Sequence, residues 1–340
     1  MAKRKLTRRQ AWRINKIQEE RVARAQRKAN VIVPDDEQQL GPEQHGLVIA
    51  NYGATLDIEA AEGALFRCST RQNIDLPVVG DQVVWQAIDA NTGIVTALLP
   101  RHNVLARPDI YGKVKALAAN IDQMLIVAAP RPQYSTYHID QYLVAAEVTG
   151  IHPLLVFNKI DLIEEQARES IEQDLARYAA LGYRIIRASA KAAHGLEQLT
   201  EALSGKTSVF VGQSGVGKSS LINHFISNQA AVGPLSETTG LGQHTTSATR
   251  IYHLPCGGKL IDSPGVREFR LWQIELDELE QGFIEFRPHL GHCKFRDCRH
   301  LREPGCALLR AVEEDAISRE RLGNFYRLRQ ALEENKIESE

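Results

Sequence analysis

The chain has 340 residues, 43% hydrophobic and 24% charged, with 41 Lys and Arg against 42 Asp and Glu. That length suits two or three domains, and the apolar share supports a sizeable core and argues against wholesale disorder. No apolar run approaches the roughly 18 residues of a membrane span, and five Cys in a chain needing no disulfide framework point to a reducing cytosol.

The near-neutral charge is uneven along the chain. Residues 1–30 hold eleven Lys and Arg against Glu19 and Glu20, a net of nine positive charges, so the other 310 carry a net of ten negative ones. With only Leu6, Trp12, Ile14, Ile17 and Val22 as larger apolar residues, the segment cannot order itself by burial, and it has no apolar core of a secretory signal. It fits a solvated tail, or an arm that releases counterions from a phosphate backbone and folds on it. Anionic membrane is disfavoured, since the apolar residues are too sparse for an interfacial face. An acidic linker containing Pro34, Gly41 and Pro42 completes residues 1–44.

Residues 45–105 contain five short β-rich runs: GLVIANY, TLDIEA, ALFRCS, DQVVWQAI and GIVTALL. Turn signals at Gly53, Gly63, the 77–80 stretch and 91–93 separate them, a pattern that predicts a small OB-type β-barrel. Trp85 and Phe66 are expected in its core, and Cys68 as an inert buried thiol.

From Ile121 the period changes. MLIVAAP reads as a buried parallel strand, HIDQYLVAAEVTG as an amphipathic helix ending at Gly150, and strands and helices then alternate through TSVFVGQSGVGKSSLINHFI. The alternation predicts a doubly wound α/β domain over 106–270, with ligands at the carboxyl ends of its strands. Residues 212–219 match G-x-x-x-x-G-K-[ST] between a strand and a helix. There Gly212, Gln213, Ser214, Gly215, Val216 and Gly217 offer backbone N–H groups to phosphates, Lys218 reaches the β/γ-phosphates, and Ser219, followed by Ser220, ligates Mg2+.

The base is chosen elsewhere. Asn158-Lys159-Ile160-Asp161 follows strand LLVF, and its Asp carboxylate can accept two hydrogen bonds from guanine N1–H and the 2-amino group, which adenine cannot offer. Ser189-Ala190-Lys191 also follows a strand, where a backbone N–H can meet guanine O6. Asp262-Ser263-Pro264-Gly265 supplies a D-x-x-G, with Asp262 on Mg2+ through water and Gly265 N–H on the γ-phosphate. Between P-loop and D-x-x-G, residues 233–246 (GPLSETTGLGQHTT) describe a loop able to order around metal and phosphate, with Thr245 favoured over Thr246 as the Mg2+ ligand. NKxD and SAK precede the P-loop here, the reverse of the ordinary GTPase order, which points to circular permutation. Residue 266, where a Gln usually orients the attacking water, is Val. His244 is the candidate for that task, against the alternative that it packs in one nucleotide state.

Residues 271–340 open onto Cys293-x4-Cys298-x-His300-x5-Cys306. Three thiolates and an imidazole suit tetrahedral Zn2+ with no open position, hence a structural ion; His289 and His292 compete for the imidazole role, and unrelated buried thiols remain the alternative. Lys294, Arg296, Arg299 and Arg302 surround the cluster and can face phosphate, and most of the remainder, notably 307–315 and 319–332, reads as amphipathic helix. Cys256 lies outside the cluster and is expected to be structural.

The order NKxD, SAK, GxxxxGKS, switch loop and DxPG, with an OB-like domain before it and the Cys3His spacing after it, resembles the ribosome small subunit-dependent GTPase A family of circularly permuted ribosome-biogenesis GTPases. The resemblance covers about residues 45–335. It implies a cytoplasmic bacterial GTPase acting late in maturation of the small (30S) subunit, binding its 16S rRNA near the decoding centre. It further implies weak intrinsic activity stimulated by the subunit, and departure after hydrolysis of GTP to GDP. The fold expected is multidomain: an OB-type barrel, a permuted P-loop GTPase domain and a mainly helical zinc-binding domain, acting as a monomer without membrane. A GTP-sensing RNA-binding module whose hydrolysis is incidental is the second reading; a P-loop ATPase or kinase is disfavoured by Asp161.

Overall fold

The computed structural model describes residues 40–71, 74–108, 114–227, 249–262 and 274–337. The basic arm, most of the linker, His244, Thr245, Thr246, Gly265 and Val266 lie outside the described residues. Two compact units divide the chain: residues 1–104 with 116–120 and 245–251, and residues 105–115 with 121–244 and 252–340.

In the first unit the five apolar runs become Glu43–Asn51 (β1), Leu56–Ala60 (β2), Leu65–Thr70 (β3), Gln82–Ala87 (β4) and Thr92–Leu98 (β5). β1 pairs with β2 and β2 with β3, β3 runs parallel to β5, β5 pairs with β4, and β4 returns to β1. The sheet therefore closes as the expected OB-type barrel and leaves no open edge among these strands. Gly46 and Leu47 of β1 pair with β2 on one edge and β4 on the other, and the β1–β2 register shifts between Val48 and Ala50, a bulge that bends the strand. Val48, Leu56, Ile58, Cys68, Val83, Trp85 and Val95 fill the interior. Trp85 is fully buried and its ring lies 4.4 Å from that of half-buried Phe66, so both are core residues as expected. Gly46 leaves room for this: a Cβ there would stand 2.4 Å from Ile58 and 2.9 Å from Trp85 Nε1. Burial pushes the Cys68 thiol up to about 12, with Asp57 adding, which fits an inert thiol.

Three strands were not foreseen: Val104–Pro108 (β6), Val114–Ala119 (β7) and Thr249–His253 (β12). All are short and lack sustained alternation. β12 begins by pairing Thr249 and Arg250 with Asn51 and Ala50 of β1, a contact no local pattern encodes.

The second unit is built on Gln123–Ala128 (β8), His152–Phe157 (β9), Arg184–Arg187 (β10), Thr207–Val211 (β11) and Lys259–Asp262 (β13), parallel in the spatial order β10–β9–β8–β11–β13. β8 is buried along its whole length, as its unbroken apolar run requires of a strand covered on both faces. The helices are Thr136–Thr149 (α1), Glu165–Ala180 (α2), Leu196–Leu203 (α3) and Lys218–Ser227 (α4). From β8 the chain steps outward through β9 to β10, then returns to the other side of β8 as β11. The strand order thus reverses between β8 and β11, where open α/β sheets bind ligands.

After β13 come Leu276–Gly282 (α5), a 3-10 turn over Ile284–His289, Ala307–Glu313 (α6) and Arg319–Ile337 (α7). Phe283, Phe286 and Phe325 are fully buried and stack within 5.7 Å of one another. α1 departs from the amphipathic expectation: Ile139, Asp140, Tyr142, Leu143, Val144, Ala145 and Ala146 are all buried. The reason is that α5 and α7 pack on the side of α1 that a two-layer domain would leave to water.

Asp140 is consequently an acid with no exposed surface. Its Oδ1 accepts from Arg321 NH1 at 2.6 Å and from Tyr178 OH at 2.8 Å, and its Oδ2 from Asn324 Nδ2 at 2.7 Å. Arg321 donates its other edge to Glu285 through Nε at 2.6 Å and NH2 at 2.8 Å, with the guanidinium 4.6 Å from the centre of the Phe283 ring. Burial pushes Asp140 up, and Arg321, Asn324 and Tyr178 pull it back. Replacing Arg321 leaves two buried carboxylates without a counter-charge, so Arg321→Met is expected to cost about 3–5 kcal/mol. Urea denaturation checks this; a loss under about 1 kcal/mol, the range of an exposed pair, would show that the network is not desolvated in solution.

Candidate functional site

The carboxyl ends of β9, β10, β11 and β13 bring four of the sequence motifs to one edge of the sheet. The 212–219 loop leaves β11 and enters α4 at Lys218. Gly212 has φ +138°, and a Cβ on it would stand 2.2 Å from the Val127 carbonyl; Gly217, at φ +99°, would meet Asn158 Nδ2 at 2.3 Å. Both positions therefore need glycine, one to clear β8 and the other to let the loop lie against Asn158. Lys218 is buried, its Nζ donating at 2.6 Å to the carbonyls of Gly212 and Gln213, which holds the ammonium over the loop. Ser214, Gly215, Ser219 and Ser220 are exposed, while Val216 is buried under the loop.

Asn158 and Lys159 tie this loop to β9. Asn158 Nδ2 donates to Val216 O at 3.0 Å, and Lys159 Nζ bridges Gly215 O at 2.6 Å and Arg131 O at 2.9 Å. Lys159 takes a left-handed φ of +59°. Asn158 Oδ1 is buried with no hydrogen-bond partner among the described residues, an acceptor left over at the centre of the cluster. Asp161 receives a hydrogen bond from the Ser189 hydroxyl, whose oxygen accepts from Ala192 N–H at 3.0 Å. The NKxD and SAK segments therefore meet through side chains, with the Asp161 carboxylate oriented by Ser189. Ala190 and Lys191 follow in the same turn, closed by Ser189 and His194 backbone pairing. Asp262 ends β13, whose Ile261 pairs with Val209 of β11, so its carboxylate belongs to the edge that carries the P-loop.

Sequence reasoning missed the segment from the end of β8 into the first turn of α1. Arg131 supplies a carbonyl to Lys159, Pro132 Cδ lies 3.4 Å from where a Cβ on Gly215 would be, and His138 Nδ1 stands 3.1 Å from Gln213 Nε2. The one available signal was the Pro-rich run APRPQ directly after a buried strand, which places a stiff loop at the ligand-binding edge.

The second cluster lies after the 3-10 turn. The donor atoms of Cys293, Cys298, His300 and Cys306 all fall within 4.8 Å of one another. Cys293 Sγ is 3.9 Å from Cys306 Sγ and 3.5 Å from His300 Nδ1, which is 3.3 Å from Cys306 Sγ. Bonds of about 2.3 Å to sulfur and 2.05 Å to nitrogen at tetrahedral angles give edges of about 3.8 and 3.5 Å, so the set fits a tetrahedral metal ion. His289 and His292, the competitors, are not in the cluster. Ala307 N–H donates to Cys293 Sγ at 3.3 Å, and Glu303 accepts from the N–H groups of Arg299, Leu301 and Arg302. Those amides hold the Glu303 carboxyl at about 2. Lys294, Arg296, Arg299 and Arg302 are exposed around the cluster, and half-buried Cys256 packs against the core of the parallel sheet.

Comparison with known proteins agrees with this geometry. A model of the RsgA GTPase family matches residues 98–272. Small ribosomal subunit biogenesis GTPase RsgA of Hahella chejuensis is 50% identical over 100% of this chain and 99% of its own. The protein of that name from Azotobacter vinelandii is 51% identical over 98% and 99%. Among solved structures, YjeQ from Thermotoga maritima superposes with a TM-score of 0.71 at 32% identity, covering 85% of this chain and 98% of its own. YloQ, described as a circularly permuted GTPase, gives 0.69 at 28%, covering 89% and 99%.

Asn158→Ala removes the bond to Val216 and frees the P-loop from β9. It is expected to cost about 1–2 kcal/mol of GDP binding, on the order of tenfold in Kd by calorimetry, with faster amide exchange at Val216 and Gly217. Unchanged affinity would show that the loop holds its shape without this tether.

Proposed function

Since the chain belongs to the RsgA GTPase family and is a GTP hydrolase, we propose that it couples GTP hydrolysis to a late step of small (30S) ribosomal subunit maturation and to its own release. The observation that carries this is the meeting of P-loop, NKxD, SAK and Asp262 at one sheet edge, in a chain half identical over its full length to proteins named for small ribosomal subunit biogenesis.

Guanine lies against Asn158, Lys159 and Asp161, with Ser189, Ala190 and Lys191 closing the base pocket; residues 212–220 wrap the phosphates. Ser219 and Thr245 would hold Mg2+, with Asp262 reaching it through water, and Gly265 N–H would meet the γ-phosphate. Lys218 offsets charge that develops on the transferred phosphoryl group, and a bound Mg2+ would supply further positive charge there. Val266 can orient no water, so His244 takes that role when the chain is bound to the subunit. The Cys3His set holds one structural Zn2+.

The basic arm and the exposed Lys294, Arg296, Arg299 and Arg302 contribute phosphate contacts to 16S rRNA. The chain is then organised as arm and linker (1–44), OB-fold domain (45–105), GTPase domain (106–270) and zinc-binding helical domain (271–340), acting in the cytoplasm as a monomer. No helix among the described residues is long and apolar enough to cross a membrane.

GTP turnover is expected to rise by an order of magnitude or more on adding small subunits, and to rise less at high salt; equal rates with and without subunits would sink the coupling and favour a GTP-sensing binding module. Asp161→Asn should lose about 3 kcal/mol of GTP binding, roughly 100-fold, and gain affinity for xanthosine triphosphate, read by nucleotide competition. For His244→Ala, subunit-stimulated turnover should fall roughly 100-fold with GTP affinity retained; undiminished stimulation would assign the water to another group.

A further inference from the structure

His300 is held on every side. It sits at φ +61°, a left-handed backbone that a β-carbon resists, and its carbonyl accepts from the Tyr326 hydroxyl of α7. Arg329 NH1 of the same helix donates to the neighbouring Arg299 carbonyl at 2.8 Å. The ring is buried, with Nδ1 turned to the thiols and Nε2 3.4 Å from Glu280 Oε1. With Nδ1 turned to the thiols, a metal bound there would leave Nε2–H to the Glu280 carboxylate.

Glu280 comes from α5, not from the cysteine loop. α5 is the first element described after the D-x-x-G segment, and its own start is fixed by a capping box between Glu275 and Glu278. At its other end Gly282 touches α1 so closely that a Cβ would stand 2.6 Å from Val144 Cγ1, and Leu279 is fully buried. Metal-ligating histidines generally donate their second nitrogen to a carboxylate, which fixes tautomer and ring orientation and raises ligand basicity.

We propose that Glu280 is the positioning residue of the metal site. It holds His300 Nε2–H, presents Nδ1 to the ion, and so ties the cysteine loop to the helix that follows the D-x-x-G. The proposal rests on the reading of Cys293, Cys298, His300 and Cys306 as a Zn2+ site. Because α5 is gripped by α1 at Gly282 and by His300 at Glu280, metal occupancy and the seating of Glu280 on His300 are linked, and linkage is reciprocal: the metal favours that seating by the same factor as the seating favours the metal.

The test uses the full chain loaded with Co2+ and then Zn2+, following thiolate-to-cobalt absorption and competition with a calibrated chelator. Glu280→Ala is expected to weaken affinity roughly 10–100-fold with the cobalt spectrum still that of a tetrahedral Cys3His site, and Glu280→Gln, which keeps an acceptor, to fall between. Amide exchange at 279–282 should slow on Zn2+ loading in the natural chain and not in Glu280→Ala. Glu278→Ala removes the cap of α5 but keeps Glu280, and should weaken affinity much less than Glu280→Ala. If Glu280→Ala binds as tightly as the natural chain, or Glu278→Ala weakens binding equally, the positioning role is overturned. A natural chain that takes up no metal, or binds it as well after Cys298→Ser, would instead overturn the metal site itself.

Discussion

One buried cation organises the second unit. Arg321 lies between Asp140 and Glu285 with its side chain only 5% exposed, and it satisfies a carboxylate on α1 and another on the 3-10 turn at once. Taking three charges out of water is costly, and the cost is recovered only when the hydrogen bonds are complete. The Asn324 and Tyr178 contacts to Asp140 complete them. The geometry thus admits one seating of α7 on α1. Phe283, Phe286 and Phe325 supply apolar area that could slide; Arg321 and its partners fix where it stops.

That seating has consequences in both directions. On one side α1 starts beside the P-loop, where His138 meets Gln213. On the other, α7 carries Tyr326 and Arg329, which hold the backbone around His300. The metal cluster and the motif-bearing sheet edge are accordingly attached to the same helix, one through α7 and α5, the other through the loop after β8. Circular permutation makes this arrangement available. With NKxD and SAK placed before the P-loop, β13 and its Asp262 come last among the parallel strands described, and the next described element is α5. α5 touches both α1, at Val144, and His300 of the Cys3His cluster, through Glu280.

Much of this was legible in the linear chain because it is local. Alternation at period two gave the barrel strands within a few residues of their observed bounds, and unbroken apolar runs gave β8 and β9. A glycine-rich loop between strand and helix gave the P-loop, since only glycine accepts the backbone at Gly212 and Gly217. Ligand chemistry gave Cys293, Cys298, His300 and Cys306, and removed Cys256, whose neighbours are apolar. What escaped was non-local. β12 pairs with Ala50 and Asn51, the end of β1 that runs past its pairing with β4, and Asp140 looked like the polar face of an ordinary amphipathic helix because its counter-ion lies 181 residues away. Glu280 carries no local signal, since Glu275, Asp277 and Glu278 lie within the same few residues.

The charge arithmetic shows the same division. The sequence alone placed nine net positive charges in the first thirty residues and ten net negative ones in the rest, because charge is additive and needs no fold to be counted. It also determined the nucleotide chemistry, through residue types whose donors and acceptors are fixed by covalent structure. Which of the acids are solvated and which are buried against a cation was decided only by tertiary structure. A carboxylate's environment depends on what packs over it, and packing is set by contacts between residues far apart in the chain.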